Sequence, residues 1–312
     1  MSVYTEVTAN DLQPLLQHYR AGKLQALLGI RDGIENTNYF VTTDRGEYVL
    51  TLFEHTHAVD IEFALDCMAH YVRLGLPCAA PLADPQGHFL SHLHDKPASL
   101  VTRLPGQSLT TADTEQCRVV GHNLARLHLA GRDITVQHPN PRGEHWRQLT
   151  ADKIRARLDA GQRRLLDDEL TYQHCSLDNL PHGIIHADLF RDNILFEGHH
   201  LTGLLDFYNA GYDLLLYDLA ITVTDWCTRS DGSFHQPRLQ ALVQAYTRQR
   251  PVTENEQRHW PQLLRRAALR FWLSRHVNLH FPRASQLTRQ KDPAVYQQLL
   301  LTYRQNPPIW PT

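Results

Sequence analysis

The segment Ile184–Phe196, IIHADLFRDNILF, holds a polar centre between two apolar ends. His186, Asp188, Arg191, Asp192 and Asn193 stand within it. A chain that leaves one apolar stretch, passes through several polar side chains and enters another presents those side chains to a partner. The stretch that follows, ILFEGHHLTGLLDF, reads as two apolar strands around a turn at Gly198, with Ile194–Glu197 going out and Leu201–Leu205 returning. A hairpin brings its end back near its start, so Asp206 must lie beside Asn193. His186, Asp188, Asn193 and Asp206 therefore converge. Two carboxylates and a carboxamide oxygen are hard donors that suit Mg2+, which takes one or two carboxylates and completes its shell with water and phosphate. A further carboxylate beside such a centre can accept the proton of an attacking hydroxyl. The chemistry implied is phosphoryl transfer to an alcohol. A polar turn braced by its own aspartates is the plain alternative, and it suits Asp192 and Arg191.

These groups need elements to hold them. In NTNYFVTTDRGEYVLTLFE, two β-rich runs, Tyr39–Thr43 and Glu47–Phe53, flank an Asp44-Arg45-Gly46 turn. Ile61, Leu65, Met68 and Val72 then recur at helical spacing, and Gly75 with Pro77 stops that helix. Short strands are expected at His88–Leu90 and Ser99–Leu104. Asp113 and Gln116 make a capping pair for a helix carrying Val120, Leu124 and Leu127 and ending at Gly131. One helix is expected near Asp152–Leu170, and beyond residue 216 come Asp218–Thr228, Pro237–Arg248, Glu254–His280 and Pro293–Arg304. The fold class is α+β and bilobal. A β-rich lobe, 1–102, meets a helical lobe, 103–312, and ligands favour such clefts.

Composition narrows the function. Of 312 residues, 31 are basic and 33 acidic, a net charge of −2 that offers no field for nucleic acid or an anionic membrane. No apolar run approaches the ~20 residues of a membrane span. The N-terminal MSVYTEVTANDLQPLL lacks a secretory pattern, so a cytoplasmic protein is expected. Five cysteines include no C-x-x-C pair, and the 20 histidines include no H-E-x-x-H set. Neither a disulfide framework nor a zinc site is expected.

His186, Asp188 and Asn193 form H-x-D-x-x-x-x-N, the catalytic-loop arrangement of kinases. HADLFRDNILF followed by LLDFYNAG and LYDLAIT resembles the aminoglycoside phosphotransferase and choline kinase-like superfamily, which has a protein-kinase-like fold. GIENTNYFVTTDRGEYVLTLFE, LDFYNAGYDLLLYDLAITVTDWC and LRFWLSRH together resemble the type II homoserine kinases of bacteria, over almost the whole chain. The resemblance implies transfer from ATP, with Mg2+, to the side-chain hydroxyl of L-homoserine, a step of threonine biosynthesis. It implies Asp188 as base, Asn193 and Asp206 as metal ligands, and His186 and Asp218 as supports of the loop.

The superfamily's strand lysine is missing: Thr51 stands at that position in EYVLTLFE, as the branch tends to have it. Phosphate contacts then fall to the metal, to an arginine, or to the turn Gly29–Asn38, with Gly33, Asn36 and Asn38 as candidates. Thr102 and Leu104 are expected at the nucleotide's interlobe edge. An amino-acid acceptor needs a carboxylate clamp, best met by arginine. Arg275 is favoured over Arg270, with Tyr208 and Asp225 as candidates for the ammonium and for orientation. Two alternatives stand beside this. Asp213, Asp218, Asp225 and Asp231 would suit an aminoglycoside or another small alcohol such as choline or ethanolamine, and the absent lysine would suit a nucleotide-binding scaffold without turnover.

Overall fold

The computed structural model describes residues 4–30, 36–174, 177, 179–282, 291–306 and 309–311. Helix α1 (Ala9–His18) opens the fold, with Thr8 and Asp11 capping it reciprocally. Strands β1 (Leu24–Gly29), β2 (Thr37–Thr43), β3 (Gly46–Leu52), β4 (Leu90–Leu93) and β5 (Lys96–Thr102) form one antiparallel sheet in the order β1-β2-β3-β5-β4. The expected hairpin forms, Thr43 pairing with Gly46 across the Asp44-Arg45 turn. Strand β2 alternates buried Thr37, Tyr39, Val41 and Thr43 with half-buried neighbours, the period-2 signature of a sheet with one packed face. That face closes on Leu12, Leu15 and Leu16 of α1.

Two outcomes differ from the sequence expectations. Helix α1 and strand β1 are additions; the signal for α1 is the Thr8-x-x-Asp11 box ahead of Leu12, Leu15 and Leu16. The single helix expected near Asp152–Leu170 is two, α4 (Glu144–Arg155) and α5 (Ala160–Gln173). Asp159 and Gln162 bond each other's backbone N–H and start α5 afresh, so a capping box overrides the continuous helical pattern.

Helix α2 (Ala58–Arg73) lies between β3 and β4 in sequence but not in packing. Its Ile61, Leu65, Met68 and Tyr71 join a core with Val120 and Leu124 of α3 (Thr114–Ala130) and Ile184 and Ile185 of β6 (His182–Ile185). The helix of the small sheet is thereby fastened to the helical body. Two short ribbons follow: β6 pairs with β9 (Gly211–Leu214), and β7 (Ile194–Glu197) pairs with β8 (His200–Leu204). Helices α6 (Leu215–Trp226), α7 (Gln236–Gln249), α8 (Glu254–His280) and α9 (Ala294–Gln305) complete the body. Among the described residues no helix is long and apolar enough to cross a membrane.

Helices α3 and α7 meet at Gly121, where a Cβ would come within 2.0 Å of the Leu242 carbonyl oxygen. The obstacle is backbone, so it cannot swing aside. Gly121→Ala is expected to cost about 1–3 kcal/mol by overpacking, which lowers Tm by roughly 2–10 °C. Calorimetry of the variant checks this, and an unchanged Tm would show that the two helices do not pack at this distance.

Candidate active site

The ribbon β7–β8 does what its sequence required. Ile194 pairs with Leu204, and the Leu205 N–H donates to the Asn193 carbonyl at 2.9 Å. Asp206 therefore follows directly on a residue bonded to Asn193. Its backbone is left-handed, φ 59° and ψ 61°, a conformation that aspartate tolerates better than most residues. It caps the short 3-10 turn Phe207–Asn209 and turns an exposed carboxylate outward.

The loop before β7 is held from below. Asp218, on the first turn of α6, is fully buried. Its Oδ2 accepts the His186 N–H at 2.7 Å and its Oδ1 the Ala187 N–H at 2.8 Å. His128 Nε2 lies 3.0 Å from Oδ2, and His128 Nδ1 lies 2.7 Å from the Tyr246 hydroxyl. A carboxylate only accepts, so Nε2 carries the proton and the tyrosine donates to Nδ1. Burial pushes the Asp218 carboxyl up, but the hydrogen bond from His128, the neighbouring His186 and the backbone N–H donors outweigh it and hold the group below its ordinary value.

His186 is placed the same way. Its Nε2 faces the Leu205 carbonyl at 2.8 Å and must donate, while Nδ1 accepts the Asp188 N–H at 3.3 Å. Both ring nitrogens are used by the neutral form, and burial lowers the His186 pKa accordingly. The ring thus ties the start of the loop to the end of β8. Asn193 closes the loop, its Nδ2 donating to the Asp188 carbonyl at 2.8 Å. That bond fixes the half-buried carboxamide at the end of the loop.

Asp188 is half-buried and its Oδ1 accepts from Arg270 Nη1 at 3.3 Å. Arg275, favoured above for the clamp, does not touch Asp188 directly: its Nη1 donates to the Asp292 carbonyl at 2.8 Å and its guanidinium stacks 4.2 Å from the ring centre of Tyr296, whose charged neighbours also include Asp225, Asp188 and Arg270. Asp225 is engaged by Arg191 through the backbone N–H, Nε and Nη2, at 2.9, 2.9 and 3.2 Å. Arg191 also donates to the Thr110 carbonyl, so it braces the loop and is not a loose surface side chain. Tyr208 packs edge-on to Phe53, ring centres 4.7 Å apart. Burial raises its hydroxyl's pKa, the neighbouring Asp206 adds to this, and Ser99 and Thr51 oppose it. Tyr208 is thus tucked beneath the sheet.

On the sheet side, Thr51 Oγ1 donates to Asn38 Oδ1 at 2.8 Å, and Asn38 Nδ2 points back to the Asn36 carbonyl. Gly33 lies outside the described residues. Thr102 ends β5 and is bonded twice to Ala80, its N–H to the carbonyl and its hydroxyl from the N–H. Half-buried Leu104 follows where the chain crosses to the body. His128 and Arg270 are the functional surroundings that sequence reasoning passed over or ranked second. The four-residue spacing of Arg266 and Arg270 on α8 was the available signal for the latter.

The donor set fits a magnesium ion. Asn193 Oδ1 and the Asp206 carboxylate are hard oxygens at the same end of one ribbon, just before β7 and just after β8. Among the described residues no group of three or more His, Cys, Asp and Glu converges. A cation held here would take most of its shell from water and phosphate, which is magnesium's habit.

The chain matches the phosphotransferase enzyme family over residues 26–252. It is 46% identical over 301 residues to a homoserine kinase of Methylobacillus flagellatus, covering 96% of this chain and 94% of the relative. A homoserine kinase of Janthinobacterium sp. is 42% identical over 306 residues, covering 96% and 95%. An amicoumacin kinase superposes with a TM-score of 0.73 at 16% identity, over 97% of this chain and 96% of its own. A choline kinase from Cryptosporidium parvum does so with a TM-score of 0.63 at 14% identity, over 90% and 88%. At such identities these structures share a fold, and it is the bilobal protein-kinase-like one expected from sequence.

The buried histidines make stability depend on pH. His128 and His186 are both held below their ordinary value by burial. Below about pH 6.5 the unfolded chain binds protons that the folded chain refuses. Stability is therefore expected to be level above neutrality and to fall as pH drops from about 6.5. Asp218 adds a second loss only below about pH 3.9, as pH falls through its depressed folded value. Tm measured from pH 8 to 5 should decline more gently in His128→Gln than in wild type. Equal slopes would mean that His128 is not buried in its neutral form.

Proposed function

The chain belongs to the phosphotransferase enzyme family, in the branch of the homoserine kinases, and on that premise we propose that it transfers the γ-phosphoryl group of ATP to the side-chain hydroxyl of L-homoserine. The product is O-phospho-L-homoserine, an intermediate on the way to threonine. The observation that carries the reading is a loop, 186–193, locked onto Asp218 within a chain that matches homoserine kinases nearly end to end.

In this reading Asp188 is the base. Its Oδ1 is turned to Arg270, which leaves Oδ2 to take the hydroxyl proton. His186 and Asp218 fix where that carboxylate stands and exchange no proton with substrate. Asn193 and Asp206 hold Mg2+, which when bound offsets the charge developing on the transferred group. The nucleotide lies between the sheet lobe, 1–102, and the helical lobe, 103–312, with its adenine edge at Thr102 and Leu104. Asn36 and Asn38 flank the phosphates in place of a strand lysine. Thr51 keeps Asn38 in position through its hydroxyl. Asp225, Tyr208 and Arg275 line the acceptor side, with the Asp225 carboxylate held by Arg191 and one Arg275 nitrogen by the Asp292 carbonyl.

Asp188→Asn is expected to keep nucleotide binding and lose about 10²–10⁴-fold in kcat; a variant within roughly threefold of wild type removes Asp188 from the role. Asp206→Ala is expected to weaken binding of magnesium-ATP more than of metal-free ATP in titration calorimetry, and equal losses would take the metal away from Asp206. Across a panel of alcohols, kcat/KM for L-homoserine should exceed that for choline, ethanolamine and kanamycin. Preference for any of those three would overturn the substrate while leaving the fold untouched.

A further inference from the structure

Three arginines are buried together behind Asp188. Arg147 on α4 and Arg270 on α8 are each 3% exposed, and Arg266, one turn before Arg270, is 8% exposed. All three are charged neighbours of the buried Tyr217 hydroxyl. Buried guanidinium groups are costly unless paired, and elsewhere α8 obeys that rule. Arg265, next in sequence to Arg266, binds Glu169 with two hydrogen bonds at 3.0 and 2.6 Å.

The cluster does not. Arg266 Nε meets only the neutral Gln173 carboxamide, at 3.1 Å. Burial and the Arg147 charge push the Arg266 pKa down to about 10. Among the described residues the Arg270 guanidinium hydrogen-bonds Asp188 and lies 4.0 Å from the Phe271 ring centre, which is no anion. Arg147 Nη1, Arg270 Nε and the Tyr217 hydroxyl have no partner among the described residues. Of the nearby carboxylates, Asp213 is already bonded by Asn140 and by the Leu214 N–H, and Glu144 is exposed. The site lacks one compact anion with two acceptor oxygens.

We propose that Arg147, Arg266 and Arg270 with Tyr217 seat the α-carboxylate of the acceptor, and so select an amino acid over the corresponding amino alcohol. This rests on the reading of homoserine as substrate. A guanidinium fork matches a carboxylate bidentately. Arg270 reaches Asp188 with Nη1, keeps Nε without a partner among the described residues and is a charged neighbour of Tyr217, so the carboxylate seat and the base share one side chain. In homoserine, four bonds of about 1.5 Å separate the carboxyl carbon from the hydroxyl oxygen, a reach of roughly 5 Å. An acceptor anchored on the cluster thus presents its hydroxyl at Asp188. An amino alcohol would leave the cluster unpaired.

Arg147 is the residue to change, because it does not touch the base. The ratio of kcat/KM for L-homoserine to that for 3-aminopropan-1-ol should fall about 10- to 100-fold in Arg147→Met, and by less in Arg147→Lys. Without substrate, Arg147→Met should melt no lower than wild type, since it removes an unpaired buried charge. Saturating L-homoserine should raise Tm in wild type and much less in the variant. A ratio within threefold of wild type, in an enzyme that still prefers homoserine, overturns the seat and leaves the function standing. A substrate-free Arg147→Met that melts several degrees lower overturns it too, because the arginine would then be structural. Wild type that fails to phosphorylate homoserine overturns the functional reading and this inference with it.

Discussion

The Asp218 carboxylate is the point on which the site depends. It is fully buried and accepts from the backbone N–H groups of His186 and Ala187 and from the His128 ring. A buried carboxylate is stable only when its oxygens are met this way. The same bonds hold Ala187 in the left-handed region, φ 62°, at a cost of about 1–2 kcal/mol for a residue other than glycine. That twist directs the chain so that Asp188 emerges half-exposed. His128 belongs to α3 and Asp218 to α6, so the loop takes its position from the packing of the helical body.

A second tie runs between sheet and body. Phe53, at the end of β3, meets Tyr208, which follows Asp206. Helix α2 shares the core of the body while its neighbours in sequence belong to the sheet. The sheet and the turn that carries Asp206 are thus in direct contact. At the position where kinases of this fold hold a lysine, Thr51 spends its hydroxyl on Asn38.

Charge is distributed unevenly in the body. Exposed ion pairs such as Arg155 with Asp167 and Arg304 with Asp168 contribute little each, because water screens them. The buried groups decide more. Arg265 with Glu169 closes on itself, whereas the arginines around Tyr217 remain short of acceptors.

What could be read from sequence was whatever depends on neighbours along the chain. The H-x-D-x-x-x-x-N spacing, the hairpin that returns Asp206 to Asn193 and the capping pair Asp113–Gln116 involve residues close together, so type and spacing dictate the geometry. The α+β, bilobal organisation followed from the change of hydrophobic period near residue 103. A helix drawn through 156–159 failed because the apolar pattern runs on while a local capping box ends it. The arginines could not be ranked from sequence. Arg270 and Arg275 are both plausible on α8, and only the packing of α8 against α4 and α9 turns one to Asp188 and the other to Tyr296. Likewise His128, ninety positions from Asp218, has no sequence mark of its role. Contacts between distant segments depend on how whole helices settle into one core, and that is decided by the packing of all of them together.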